Sequence, residues 1–269
     1  MASRLNFGSA LTITYVGTAT ALLEIEGVML LTDPYFSPAE TSWPVAPGVS
    51  LMNHYTPSHN LSTLPPIDAI LLSHEDHPDN LDENGRRLLY GRRVLTTVDG
   101  AQKLALGPGV TGLKPWDTVT LNVCGKRFEV TGTPCQHLPG GECTGFVITA
   151  HDFGTTDGLP NAMYFSGDTV YIEDLARIKD RFHVTVALLN IGAAMAVPPG
   201  MTEPLLITMD GEEATKLFRD LGADILIPMH FESWDHFTEG KDDLIEVFRD
   251  EGISDYVRWL TPGVATKVV

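Results

Sequence analysis

Apolar and polar residues alternate from Leu11 to Leu31 in three short runs, Leu11–Val16, Thr20–Ile25 and Val28–Leu31, with breaks at Gly17 and Gly27. A period of two with glycine at each break predicts strands joined by tight turns, an antiparallel meander. Asp33-Pro34 closes it, and the stretch to about Pro66 is too rich in Pro, Ser, Thr and His to predict regular structure. Asp68–Leu72 is a short continuous apolar run, the pattern of a strand buried on both faces, and it stops abruptly at Ser73. Leu81, Leu88 and Leu89 fit a helix, Arg93–Thr97 a strand, and alternating runs continue through Val130.

The second half keeps that rhythm, with strands near Thr144–Thr149, Ala162–Ser166, Val184–Leu189 and Asp224–Pro228, and helices over Asp210–Leu221 and Leu244–Arg249. The helix at Asp210 is the best supported. Asp210 suits an N-cap with Glu213 three residues on, Ala214, Leu217, Phe218 and Leu221 share one face, and Gly222 ends it. Strands dominate early and strand–helix alternation dominates late, which predicts sheets with helices packed outside them.

The 269 residues suffice for one large domain or two small ones, and neither a linker nor a low-complexity tract divides them. Asp plus Glu outnumber Lys plus Arg by 35 to 18, a net charge of −17, and no basic stripe is present. That balance argues against nucleic acid and against anionic membrane surfaces as partners. The most apolar stretch, Val184–Met201, is interrupted by Asn190, Gly192, Pro198 and Pro199, so no membrane insertion is expected. The start lacks a basic segment followed by an apolar one, and Cys124, Cys135 and Cys143 form no C-x-x-C. A cytoplasmic protein with its cysteines reduced, each a small core residue, is the expectation.

The chemistry is concentrated where predicted strands end. Ser73-His74-Glu75-Asp76-His77-Pro78-Asp79-Asn80 follows the buried run, and imidazole and carboxylate are the ligands that hold zinc, iron or manganese. Thr133-Pro134-Cys135-Gln136-His137, Phe165-Ser166-Gly167-Asp168-Thr169 and Ile227-Pro228-Met229-His230-Phe231 each place one further ligand-type side chain at a strand exit. A lone histidine of this kind is usually a hydrogen-bonded core or surface residue; several in this order are hard to explain as accident.

In these segments the sequence resembles the metallo-β-lactamase fold superfamily. The meander with Asp33-Pro34, the Leu-Ser-His loop and the Pro-Met-His ending are most similar to the branch of ascorbate-6-phosphate lactonase and N-acyl phosphatidylethanolamine phospholipase D. The resemblance covers about Leu11 to Leu260. It implies an α+β fold, a four-layer αββα sandwich in a single domain over residues 1–269, with metals at one edge. Carried over residue by residue, it implies that His74, His77 and His137 hold one divalent ion, that Asp79 and His230 hold a second, and that Asp168 bridges them. Zinc is the first expectation, with manganese and iron as alternatives. Such a centre would lower the pKa of a bound water and present hydroxide to a small ester, lactone or phosphoester, with Asp79 orienting it.

The chain departs from the pattern H-x-H-x-D-H: one extra residue separates His74 from His77, and Asn80 stands where the last histidine belongs. An amide oxygen is a poorer zinc ligand than imidazole, so a weaker, vacant or harder-ion second site is expected, with one or two ions bound. A gapless alternative makes Asp76 and Asp79 the ligands and leaves His77 outside. Glu232 and His236 are candidates for a supporting hydrogen-bond acceptor or general acid. His54 and His59 are loop residues that could contact the small-molecule substrate, and Cys135 is buried filler or faces the site. Gly192–Met209 is too apolar for an ordinary loop, which suggests a substrate lid, an irregular core segment, or a subunit contact in a homo-oligomer. No G-x-S-x-G elbow, Walker loop or G-x-G-x-x-G competes with the metal reading. Two rival readings remain: a one-metal oxygenase or lyase, and a non-catalytic binding protein stabilised by metal.

Overall fold

The computed structural model describes residues 6–46, 48–104, 109–139, 141–198 and 200–269. The opening meander forms β1 (Leu11–Gly17), β2 (Thr20–Ile25) and β3 (Val28–Thr32), antiparallel throughout. The next segment, expected to be irregular, contains a hairpin of β4 (Ser42–Ala46) and β5 (Val49–Met52). Its prolines hid it: Pro44 lies beside a register shift in a two-stranded ribbon, where a missing N–H is tolerated. β6 (Ala69–Leu71), β7 (Arg93–Thr97) and β8 (Val110–Leu113) then add parallel to β3, with α1 (Glu83–Leu89) and α2 (Val98–Lys103) on the crossovers.

A second sheet begins with β9 (Thr118–Val123), β10 (Lys126–Thr133) and β11 (Gly145–Ala150), continues through β12 (Thr155–Thr156) and β13 (Leu159–Phe165), and becomes parallel at β14 (His183–Asn190). Between β14 and its parallel neighbour lie a short hairpin, β15 (Met195–Ala196) with β16 (Leu205–Leu206), and α3 (Gly211–Leu221). That neighbour is β17 (Ile225–Met229); α4 (Lys241–Asp250) follows, and β18 (Thr266–Lys267) returns to pair with β1.

Period two sorts the side chains into layers. Leu23, Leu30, Ala69 and Leu71 face the second sheet, packing with Phe128, Phe146, Ile148 and Phe165 in the central core. Their neighbours Leu22, Leu31, Ile70 and Leu72 turn outward to Leu88 and Leu89 of α1. On the far side Val147, Tyr164, Ala187 and Leu189 pack against Leu217, Phe218, Leu244 and Phe248 of α3 and α4. Both faces of each sheet are therefore buried, which gives the αββα arrangement of four layers. Cys124 departs from its expected core position: it is exposed in the Cys124-Gly125 turn between β9 and β10, where both residues adopt positive φ as a two-residue hairpin turn requires.

The capping of α3 follows the sequence pattern. The Asp210 carboxylate accepts from Glu213 N at 2.8 Å, and Gly222 closes the helix in the left-handed region at φ 63°. Asp210→Ala is expected to cost about 1 kcal/mol. The measurement is thermal unfolding, where that loss lowers Tm by about 2–4 °C for a chain of this size.

Candidate metal centre

Each proposed ligand follows the carboxyl end of a strand. His74, His77 and Asp79 come after β6, His137 after β10, Asp168 after β13 and His230 after β17. In open sheets with parallel strands the carboxyl ends form a crevice, and here the two facing sheets bring theirs to the same edge.

The loop after β6 is fixed from both sides. Glu75 turns away from the edge and pairs with Lys103 at 2.8 Å and Arg86 at 3.6 Å, tying the loop to α2 and α1. Asp82 caps α1 by accepting from Gly85 N at 2.6 Å. Asp33, fully buried, accepts from Ser73 N at 2.6 Å, from the Ser73 hydroxyl at 2.7 Å and from Asn80 Nδ2 at 3.1 Å. The Ser73 proton is thereby committed to Asp33, so His74 Nδ1–H donates to Ser73 Oγ at 2.8 Å and the lone pair is left on Nε2. His74 is 1% exposed, and that Nε2 has no partner.

His137 is oriented in the same way. Its Nδ1 donates to the carbonyl of Ile207 at 2.6 Å, which leaves Nε2 as the free lone pair, 3.1 Å from His77 Nδ1. The rings of His74, His77 and His137 have centroids 4.7 to 5.2 Å apart. Asp168 Oδ2 lies 3.9 Å from both His74 Nε2 and His137 Nε2, while its Oδ1 lies 3.3 Å from His230 Nδ1. One carboxylate thus faces two donor groups. Asn190 Nδ2 holds Oδ1 at 2.7 Å. Gly167 makes the turn into Asp168 at φ 58°, and a Cβ there would stand 2.7 Å from Ser73 Cβ.

The second group consists of Asp79, Asp168 and His230, all buried. Asp79 Oδ2 is 3.3 Å from His230 Nε2 and 3.4 Å from His236 Nε2. These separations are long for hydrogen bonds, yet donors placed 2.0–2.1 Å from one tetrahedral cation stand about 3.3 Å apart. Asp79 Oδ1 and both nitrogens of His230 are buried without a hydrogen-bond partner, as is His74 Nε2 in the first group. Protein interiors rarely leave such atoms unsatisfied, and the residues present suit divalent cations at both groups. His230 is held at φ 59°, an uncommon conformation for histidine, with its N–H donating to the carbonyl of Thr18 at 3.0 Å.

Protonation favours the ligating form at His74, His137, Asp79 and Asp168, whereas His230 must first lose a proton. Burial, reinforced by the neighbouring imidazoles, holds His74 well below the usual histidine range; burial likewise brings His137 down to about 4 against the pull of Asp168. Both are neutral at pH 7, as ligands must be. Burial works against ionisation of Asp79 and Asp168, but the surrounding imidazoles more than offset it and keep both low. For His230, burial is outweighed by Asp168 and Asp79, and its pKa is raised. Asp33 is pushed up to about 7 by burial and then by the Asp168 charge, against its hydrogen bonds from Ser73 and Asn80.

Of the residues singled out in the sequence, His74, His77 and His137 form one group, and Asp79, Asp168 and His230 the other. Asp76 of the gapless alternative is exposed and outside both. Asn80 donates its Nδ2 to Asp33 at 3.1 Å, which turns the amide nitrogen toward β3, while its Oδ1 is buried without a hydrogen-bond partner. An imidazole from elsewhere, His236, stands beside Asp79 instead. Glu232, His54 and His59 do not line the cavity; His54 is exposed and pairs with Asp235 at 2.5 Å. Cys135 is also absent from the lining and lies 3.5 Å from the carbonyl of Ser166. Sequence reasoning passed over Asp33 as a simple strand terminator and missed Ser73 and Asn190 as supports. The Asp-Pro pair directly after a buried strand was the available signal for Asp33.

His137→Ala is expected to lose the ion of the first group, read by elemental analysis of protein purified without chelator. His230 must shed a proton to bind a cation, so affinity at the second group is expected to fall as pH drops through its raised pKa, read as metal content after dialysis at stepwise lower pH.

Comparison with known proteins bears on the family and the fold. The model of the β-lactamase superfamily domain matches residues 29–231. An uncharacterized protein of Mycobacterium bovis is 29% identical over 236 residues; the match covers 83% of this chain but only 59% of the mycobacterial relative's length. A metal-dependent hydrolase of Pyrobaculum aerophilum is 25% identical, with 86% of this chain and 88% of its own covered. Among solved structures, an isothiocyanate hydrolase from Delia radicum gut bacteria superposes with a TM-score of 0.74 at 21% identity, over 96% of this chain and 100% of that one. With its domain model matched over most of its length and its fold shared from end to end, the chain belongs to the metallo-β-lactamase superfamily.

Proposed function

We propose that this chain is a metal-dependent hydrolase acting on a small ester, lactone or phosphoester. The observation that carries the reading is the pair of donor groups on either side of Asp168, five of whose six residues line a cavity of about 640 Å³, within the range usual for small-molecule sites. Cations bound there would acidify a water and polarise the scissile carbonyl or phosphoryl group. The imidazole-rich first group suits zinc, and the carboxylate-rich second group also suits a harder ion such as manganese or iron. The Pyrobaculum relative, matched over most of its length, supports hydrolysis as the reaction type. The likeness of the Leu-Ser-His loop and the Pro-Met-His ending to the lactonase and phospholipase branch supports an ester-like bond as the target.

The chain's own residues divide the work. Asp79 offers Oδ1, free of protein partners, to orient the attacking water, while its Oδ2 faces His230 and His236. His236 serves as a donor to the second cation, in the role that Asn80 leaves open, in place of the acid or acceptor role suggested by its neighbours in sequence. Met195 N donates to the backbone carbonyl of His236 at 2.9 Å, and the His236 ring packs on Phe237 with centroids 4.5 Å apart, while its Nδ1 is buried without a partner. Asp33 and Asn190 keep His74 and Asp168 aimed through Ser73 Oγ and a direct amide contact.

Elemental analysis followed by a panel of esters, lactones and phosphodiesters, with each metal restored in turn, tests the reading. Turnover under nitrogen is expected; an absolute requirement for oxygen with iron bound would move the chain to oxygenase chemistry. Asp79→Asn should lower kcat by about 10²-fold or more while changing KM little. His236→Ala should reduce bound metal from two ions to one, and Asn80→Ala should leave both.

A further inference from the structure

We infer that the substrate is a neutral carboxylic ester or lactone with an apolar body, gripped between the β4–β5 and β15–β16 hairpins. The inference rests on the hydrolytic reading of the same site. It begins with a charge pattern: the segments that meet at the edge of the sheets, residues 33–66, 73–82, 134–144, 167–172, 190–209 and 230–240, contain none of the chain's 18 lysines and arginines. No Lys or Arg lines the cavity among the described residues. No side-chain cation is therefore available to share the charge of a transferring phosphoryl group with the metals, and a phosphate elsewhere on the substrate would need a cation of its own. A net charge of −17 adds a repulsive field for any anion approaching from solvent.

What the walls offer is apolar contact. Trp43, Val49 and Leu51 of one hairpin and Met195, Val197 and Ile207 of and beside the other line the cavity. Apart from the donor groups and the indole of Trp43, the lining has one polar side chain, Thr208, and its hydroxyl already accepts from Ala194 N at 2.9 Å. The apolar character continues outward: Val45, Val49 and Val197 are 45%, 52% and 56% exposed at the tips of the two arms. Exposed valines clustered around a cavity mouth are costly unless an apolar ligand covers them. Both arms are tied to the loop carrying His230 and His236, through the bridges Asn53↔Trp234 and Ala194↔Phe237, so a body held by the arms is held in register with the donor groups.

The test compares p-nitrophenyl acetate, butyrate and octanoate with p-nitrophenyl phosphate and bis(p-nitrophenyl) phosphate on metal-loaded enzyme. Each buried methylene should raise kcat/KM about two- to fourfold, so octanoate, six methylenes longer than acetate, should exceed it by about 10²- to 10³-fold and exceed both phosphoesters further. Leu51→Glu should cut the octanoate-to-acetate ratio at least tenfold. A flat dependence on chain length, or phosphoester turnover equal to that of octanoate, overturns the inference. If nothing in the panel is turned over, the hydrolytic reading fails, and binding decides this one separately. Quenching of tryptophan fluorescence by 2-undecanone, lost in Trp43→Phe and weakened in Leu51→Glu, sustains the apolar site; no quenching overturns it.

Discussion

Imidazoles and carboxylates buried at the edge of two sheets, several of their atoms without protein partners, impose the constraint from which the rest follows. His74 Nε2, Asp79 Oδ1 and both nitrogens of His230 lie in the interior with nothing donating to or accepting from them. Desolvated polar atoms in that condition destabilise a fold unless another group, such as a divalent cation, completes them. The surrounding hydrogen bonds make sense only in that light: Ile207 takes one proton of His137, Ser73 takes that of His74, and Asp33 takes the hydroxyl proton of Ser73. Each bond leaves a lone pair directed at the same small volume.

The architecture supplies the rigidity that such convergence needs. β6, β13 and β17 are buried strands with parallel neighbours, and their carboxyl ends cannot shift without disturbing packing on both faces. The two short hairpins stand outside this frame and form the cavity walls. Because both bridge to the loop after β17, the part of the molecule that would touch a substrate's body is mechanically joined to the part that holds His230 and His236.

At Asn80 the chain departs from the motif, and the proposed metal site would draw its imidazole from another loop. Position 80 turns inward to Asp33 and becomes a strut, while His236 reaches Asp79 from a different loop. What the edge of the sheets requires is an imidazole within about 3.3 Å of the other donors, the spacing around a tetrahedral cation. Any loop entering that edge can provide it.

The residues alone determined the strands of the meander, the buried run before Ser73, the α3 helix with its cap, and the candidate ligands at the strand exits. These depend on local periodicity and on chemistry that each residue carries with it. They did not disclose the β4–β5 hairpin, since proline on an exposed ribbon looks like loop, nor the exposure of Cys124, which depends on what covers a turn. Which way Asn80 and His236 point, and that Asp33 supports His74 through Ser73, were decided only by the tertiary structure. Those are relations between residues 40 to 157 positions apart, set by the tertiary fold, and no pattern within a single segment encodes them.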